Sequence, residues 1–212
     1  RKYVSIYQGF LNNQICYEKS LDDLQLICDI YIEKLIKTEE PKTLGGYIRQ
    51  ISNKNLNNYK IPVQGVSNSR IFIDTRAKTQ GINFSNYNIV NNNQFAYNPS
   101  RLNIGSIALR KSGPCLISPM YIVFEIKDNN KLLPEFLFLW FKRNQFLKYV
   151  SFYAIGSVRD TFEYNLMKEV KLPIPDIKIQ ETIVTIYNTL ETRKRLNKNL
   201  TNNIRNIFRI LV

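Results

Sequence analysis

Tyr3-Val4-Ser5-Ile6-Tyr7 returns 180 residues later as Ile183-Val184-Thr185-Ile186-Tyr187. The register then holds, with Phe10 answering to Leu190, Leu24 to Ile204, Ile27 to Ile207 and Ile30 to Ile210. Self-similarity at a fixed offset marks one architectural unit used twice. Both stretches have the periodicity of long amphipathic helices, and the sequence between them has a different character. The expected plan is a helix, a middle domain and a second copy of the helix.

The helical stripes support this plan. Leu21, Leu24, Cys28, Tyr31 and Leu35 fall 3, 4, 3 and 4 residues apart, the spacing of an a/d seam. Leu200, Ile204, Ile207 and Leu211 repeat 4, 3 and 4 in the last segment. A small globular domain cannot cover such stripes along their whole length. Packing the two helices on each other as an antiparallel coiled coil covers both. Two separate surface helices are the competing arrangement, and the repeat argues against it. The first helix should end near Glu39, because Pro41 cannot continue it.

Past Leu44-Gly45-Gly46-Tyr47 the pattern shifts to short β-rich runs. Strands are expected at Ile61–Val66, Arg70–Ile73, Ile89–Val90, Gln94–Tyr97, Ser106–Arg110 and Tyr121–Ile126. A helix over Pro134–Tyr149 and a short one near Tyr164–Lys168 follow, and Pro173 and Pro175 close the domain. The expected fold class is α+β: one mixed α/β domain with a β-rich core, plus two long helices. Its boundaries are placed at 1–40, 41–175 and 176–212.

With 212 residues, 44% of them hydrophobic and 12% aromatic, the chain can build a core of its own. The net charge of +13 is unevenly spread. Residues 41–175 hold 18 Lys/Arg against seven Asp/Glu, a net of +11, whereas residues 1–40 come to −2 and residues 176–212 to +4. A basic middle domain is the footprint of a surface that meets a polyanion, nucleic acid first among them. General solubility is the plainer explanation.

Histidine is absent, and the three cysteines form no CxxC pair. A zinc site would lack ligands, and Ser-His-Asp and Cys-His catalysis lack their base. No apolar run reaches the length of a membrane span. The sequence starts at Arg1 and shows no signal-peptide pattern, so a cytoplasmic chain that is a piece of a longer one is expected.

Side chains able to reach base edges or phosphates are Arg, Lys, Asn, Gln and Ser on loops. The candidates are Ser67, Asn68 and Arg70; Arg76 and Lys78; Arg101 and Asn103; Arg110 and Lys111; and Ser157 with Arg159. Each one taken singly is equally well a solvated surface residue. Asn98-Pro99 superficially suggests an amino-methyltransferase motif, but Ser100 and Arg101 replace the residues that would complete it, leaving a turn. Glu125-Ile126-Lys127 matches half of a metal-dependent nuclease motif, and the nearest upstream acid is Asp74, 51 residues away. A magnesium-dependent nuclease built on Glu125 and Lys127 is therefore the alternative function.

Leu172-Pro173-Ile174-Pro175 and Gln180-Glu181-Thr182-Ile183-Val184, followed by a long helix, resemble the conserved regions of type I restriction–modification specificity subunits. The runs Phe95–Ala108, Ile117–Phe124 and Gly156-Ser157-Val158-Arg159 resemble parts of that family's target-recognition domains. The resemblance implies one recognition domain, flanked by the end of a central conserved helix and by a distal one. It implies reading of one half of a bipartite double-stranded DNA site, with the helices setting the gap. It implies no catalysis and no cofactor in this chain. S-adenosylmethionine, ATP and magnesium would belong to the methyltransferase and restriction subunits it recruits, and no membrane is involved. The family pattern has a first recognition domain that is missing here, which implies either a truncated chain or a half subunit that forms a homodimer.

Overall fold

The structure, a computed structural model, describes residues 2–75, 81–154 and 161–211. Two compact units emerge: Glu40–Gln180, and Arg1–Glu39 together with Glu181–Val212.

The Glu40–Gln180 unit holds two four-stranded sheets and one two-stranded ribbon. The first sheet runs β2 (Ile48–Ile51), β9 (Ile122–Ile126), β6 (Phe95–Tyr97) and β7 (Ile107–Leu109), every pair antiparallel. The second runs β4 (Phe72–Asp74), β3 (Val63–Val66), β8 (Cys115–Ile117) and β5 (Asn88–Val90), with β3 and β8 parallel. The ribbon pairs β1 (Pro41–Thr43) with β10 (Lys171–Pro173), bringing the entrance and exit of the unit together.

Strand alternation explains how the first sheet is covered on both faces. Ala96, Ala108 and Val123 share a buried cluster with Val66, Val90, Cys115 and Ile117 of the second sheet. These small side chains let the sheets approach closely. On the opposite face Phe95 and Phe124 stack at 4.9 Å, and Phe141 stands edge-on to Phe95 at 5.7 Å. Phe141 comes from α2 (Pro134–Lys142). Each such ring stabilises the fold by roughly 1.5–3 kcal/mol through burial.

The single helix expected over Pro134–Tyr149 is two helices. Arg143 is extended (φ −72°, ψ 142°), and α3 starts afresh at Asn144–Ala154. The break lays the Arg143 guanidinium 4.5 Å from the Trp140 ring centre and turns Phe146 onto Phe141 at 4.7 Å. A short α4 (Tyr164–Glu169) precedes β10.

Gln180 closes the unit. Its side chain is fully buried, accepts the Leu133 N–H at 2.9 Å, and donates to the carbonyls of Lys131 and Pro175, each at 2.9 Å. One amide thus satisfies three backbone groups. Asp176 caps the following helix by accepting the Lys178 N–H.

The other unit pairs α1 (Lys2–Thr38) with most of α5 (Ile177–Leu211). Gln14 Nε2 donates to Thr201 Oγ1, and Lys194 Nζ to Gln25 Oε1, so the helices run antiparallel. Leu21, Cys28 and Leu190 form the buried cluster, with Tyr17, Leu24 and Ile186 packed against it. Burial pushes the Cys28 thiol pKa up, and Asp29 beside it adds to the shift.

The seam differs from the expected one in places. Leu21, Leu24 and Cys28 lie on it, Leu35 is buried, and Ile204 is half-buried. Tyr31 is 43% exposed, because half-buried Ile32 and buried Leu35 carry the stripe past Cys28. Leu200 and Ile207 are 57% and 54% exposed, while Thr201 is buried. Beyond Leu190, Lys194 and Thr201 bond to Gln25 and Gln14 of α1, polar residues that an apolar pattern cannot reveal. Leu211 lies in α5, and its side chain is outside the described residues.

Candidate nucleic-acid interface

The β3–β4 hairpin is the first piece of the site. Val63-Gln64-Gly65-Val66 and Phe72-Ile73-Asp74 pair, with a polar tip between them. The Ser67 N–H donates to the Ile71 carbonyl and the Arg70 N–H to the Ser67 carbonyl, each at 3.0 Å. This loop geometry calls for a left-handed residue at its last position, where glycine is usual. Arg70 occupies that position with φ 61°. An arginine there costs about 1–2 kcal/mol of backbone strain. Strain of this kind collects where function requires a particular side chain.

The second piece is the 3-10 segment Pro99–Ile104. Asn98 caps it by accepting the Ser100 N–H at 3.1 Å, and Gly105 ends it with φ 95°. A side chain on Gly105 would lie 2.9 Å from the Asn68 carbonyl oxygen and 3.6 Å from the Arg70 guanidinium carbon. The glycine is required twice over, by its backbone angle and by the hairpin pressed against it. Next to it, Ser106 Oγ donates to the Val66 carbonyl in a buried hydrogen bond of 3.0 Å. The Tyr121 hydroxyl accepts the Val66 N–H from the other side.

Two loops separated in sequence therefore form one ridge. Asn68, Arg101 and Asn103 are exposed on it, and Ser67 and Arg70 are half-exposed. The Phe162 N–H donates to the Pro99 carbonyl, so the chain returns beside this ridge after residue 160. Among the described residues neither Arg70 nor Arg101 is ion-paired, and Arg70 Nε is buried without a hydrogen-bond partner. The ridge is basic, rigid at its base and furnished with donors at its surface.

Arg110 and Lys111 do not join it. Arg110 is only 4% exposed. Its guanidinium donates to Gln64 Oε1 and to the carbonyls of Ser112 and Gly113, and lies 5.0 Å from the Phe72 ring centre. It is a scaffold arginine, its planar fork satisfying a turn. Lys111 is held by Glu135 and by Asn93 Oδ1. Arg76, Lys78, Ser157 and Arg159 lie outside the described residues. Ser69, exposed at the hairpin tip, was signalled only by its polar neighbours. The tethers from Ser106 and Tyr121 had no sequence signal at all.

Glu125 has a different employment from a metal ligand. It accepts from Arg49 Nε at 2.8 Å and Gln94 Nε2 at 2.7 Å. Lys127 Nζ donates to the carbonyls of Gly45 and Gly46. Asp74 lies in the other sheet and accepts from Gln64. Among the described residues no three His, Cys, Asp or Glu side chains are grouped to hold a metal ion. The geometry gives the nuclease alternative no support.

A basic two-sheet body with Arg70 and Arg101 free of ion pairs among the described residues, and exposed Asn68 and Asn103 beside them, has the charge and donor pattern that suits a polyanion. The sequence profile of the type I restriction modification DNA specificity domain matches residues 27–206, and the chain belongs to that family. A comparison with curated protein sequences gives no match. Among solved structures, the HsdS subunit from Thermoanaerobacter tengcongensis superposes with a TM-score of 0.59 at 12% identity, over 92% of this chain and 51% of that one. The type I restriction-modification S subunit from M. genitalium gives 0.52 at 18% identity, over 92% and 57%. A chain from a structure on complex assembly and conformational transition of the type I R-M system gives 0.53 at 12% identity, over 99% and 56%. These likenesses are of fold, and this chain spans about half the length of those chains.

Proposed function

We propose that this chain is a non-catalytic specificity subunit, or the part of one that reads a single half of a bipartite DNA target. In this reading residues 41–175 are the recognition domain, with Ser67, Asn68, Arg70, Arg101 and Asn103 facing DNA. Residues 1–40 and 176–212 are the spacer helices that dock methyltransferase subunits, and through them the restriction subunit. The observation that carries the reading is the convergence around Gly105 of two polar loops that hold no ion pair among the described residues. Membership of a DNA specificity family agrees with it. The helical pair also keeps exposed apolar residues away from its seam, Leu26, Ile27 and Ile30 on α1 and Leu196 and Leu200 on α5. They suit a docked partner, whether a methyltransferase subunit or a second copy of this chain. No helix among the described residues is long and apolar enough to cross a membrane, in keeping with work on DNA in the cytoplasm.

The test is methylome sequencing of cells carrying the intact system, combined with DNA binding by the isolated chain. A split methylated motif and binding that weakens steeply with salt are expected, since each phosphate contact releases counterions. Binding indifferent to ionic strength would sink the proposal.

A further inference from the structure

The ridge and the Ser118–Tyr121 turn, whose Tyr121 bonds to the hairpin, carry three large apolar side chains that solvent reaches. Ile71, Ile104 and Met120 are 56%, 51% and 63% exposed. Each sits beside an atom that grips the hairpin. Ile71 follows Arg70 in the hairpin itself and alternates with Phe72, which packs into the core, so Ile71 faces outward. Ile104 precedes Gly105, the residue on which the hairpin rests. Met120 precedes Tyr121, whose hydroxyl accepts the Val66 N–H at the end of β3.

We infer, building on the DNA-reading proposal, that Ile71, Ile104 and Met120 read the C5-methyl groups of thymine in the major groove. The argument rests on what surrounds them. Apolar side chains on a protein-docking face normally sit together, with charges at the rim. Here Ile71 follows Arg70 and Ile104 follows Asn103, with Asn68 and Arg101 exposed on the same two loops, and the two guanidiniums have no ion pair among the described residues. An apolar protein surface would bury those charges without compensation. The major-groove edge of DNA offers the matching mixture: acceptors for amides and guanidiniums, and one apolar group, the thymine methyl. The net charge of +11 over residues 41–175 draws the same partner.

The experiment replaces thymine by deoxyuridine, which removes the methyl group and leaves the pairing edge unchanged. A duplex carrying the half-site found by methylation mapping is titrated with the full chain, one thymine replaced at a time. At least one replacement should weaken binding about fourfold, the value of one buried methyl group. Ile104→Ala, Ile71→Ala or Met120→Ala should weaken binding to the thymine duplex by a similar factor and abolish the penalty for deoxyuridine. A urea unfolding midpoint like that of the parent chain shows that these variants are folded. The inference is overturned if no thymine is sensitive, or if the penalty survives in all three variants. It is equally overturned if the variants lose assembly with methyltransferase subunits but keep the penalty, since the patch is then a protein-docking surface. Failure of the wild-type chain to bind any duplex in a salt-dependent way would instead overturn the DNA-reading proposal.

Discussion

Arg70→Gly separates the two roles that a ridge residue can have. In the folded chain Arg70 holds φ 61°, and its Nε is buried without a partner among the described residues. Glycine adopts that angle freely, which returns about 1–2 kcal/mol. Removing a buried unpaired donor returns about 1 kcal/mol more. Against this stand the extra freedom of glycine in the unfolded chain, about 0.5–1 kcal/mol, and the lost packing on Gly105. The sum favours the variant by roughly 1 kcal/mol. Function should move the other way. If Arg70 meets a phosphate, the slope of log affinity against log salt should fall by about 0.9. If it meets a base edge, affinity for the target should fall by about 1–3 kcal/mol and that for unrelated duplex should hold. Urea unfolding, read by its midpoint at constant slope, and DNA titration at several salt concentrations measure both. A variant that loses more than about 1 kcal/mol of stability and binds DNA like the parent would show that Arg70 serves the fold, and would refute the reasoning.

Gln180→Leu strands the Leu133 N–H and the carbonyls of Lys131 and Pro175, and should cost about 2–4 kcal/mol in urea unfolding. Tyr97→Phe should be neutral or stabilising by about 1 kcal/mol, because the buried Tyr97 hydroxyl has no hydrogen-bond partner among the described residues. Burial pushes the Tyr164 pKa up to about 12 and raises that of Tyr97 as well. Since both folded values exceed the unfolded value of 10, their contribution is complete below pH 10 and is lost above it; an unfolding midpoint that does not fall between pH 10 and 12 would contradict this. Leu190→Asp should disrupt the α1–α5 pair more than Leu200→Asp, since Leu190 is fully buried and Leu200 is 57% exposed; protease resistance of residues 1–39 reports it.

The helices were legible in the sequence because apolar spacing is a local signal. Their exact seam was legible only where it is apolar. Between Leu190 and Ile204, Lys194 and Thr201 bond to Gln25 and Gln14, and no apolar count can find such residues. The repeat was informative beyond helix content. Leu24 and its counterpart Ile204 are both half-buried, and Ile27 and Ile207 are both exposed. In the middle unit the runs that form β3 to β7 and β9 stood out, whereas β1, β2 and β8 did not. β1 is three exposed residues beginning with proline, and β8 is a three-residue buried run too short to show a period. For the site, the residue types were readable and the geometry was not. Arg101 and Arg110 look alike in sequence, but Arg110 ends a strand and turns inward to hold the Ser112–Gly113 turn. Nothing local distinguishes the two.

The clasp at Gly105 has an evolutionary consequence. The residues that hold the hairpin on the 3-10 segment are Gly105, Ser106 and Tyr121, and they engage backbone atoms of the hairpin or the space beside them. Asn68, Arg101 and Asn103 stand clear of that clasp, exposed to solvent. Exchanges at exposed positions usually change stability by less than about 0.5 kcal/mol. On the proposed reading, a lineage can exchange those three residues by point mutation while the protein keeps folding, and new specificities would arise without passing through unstable intermediates.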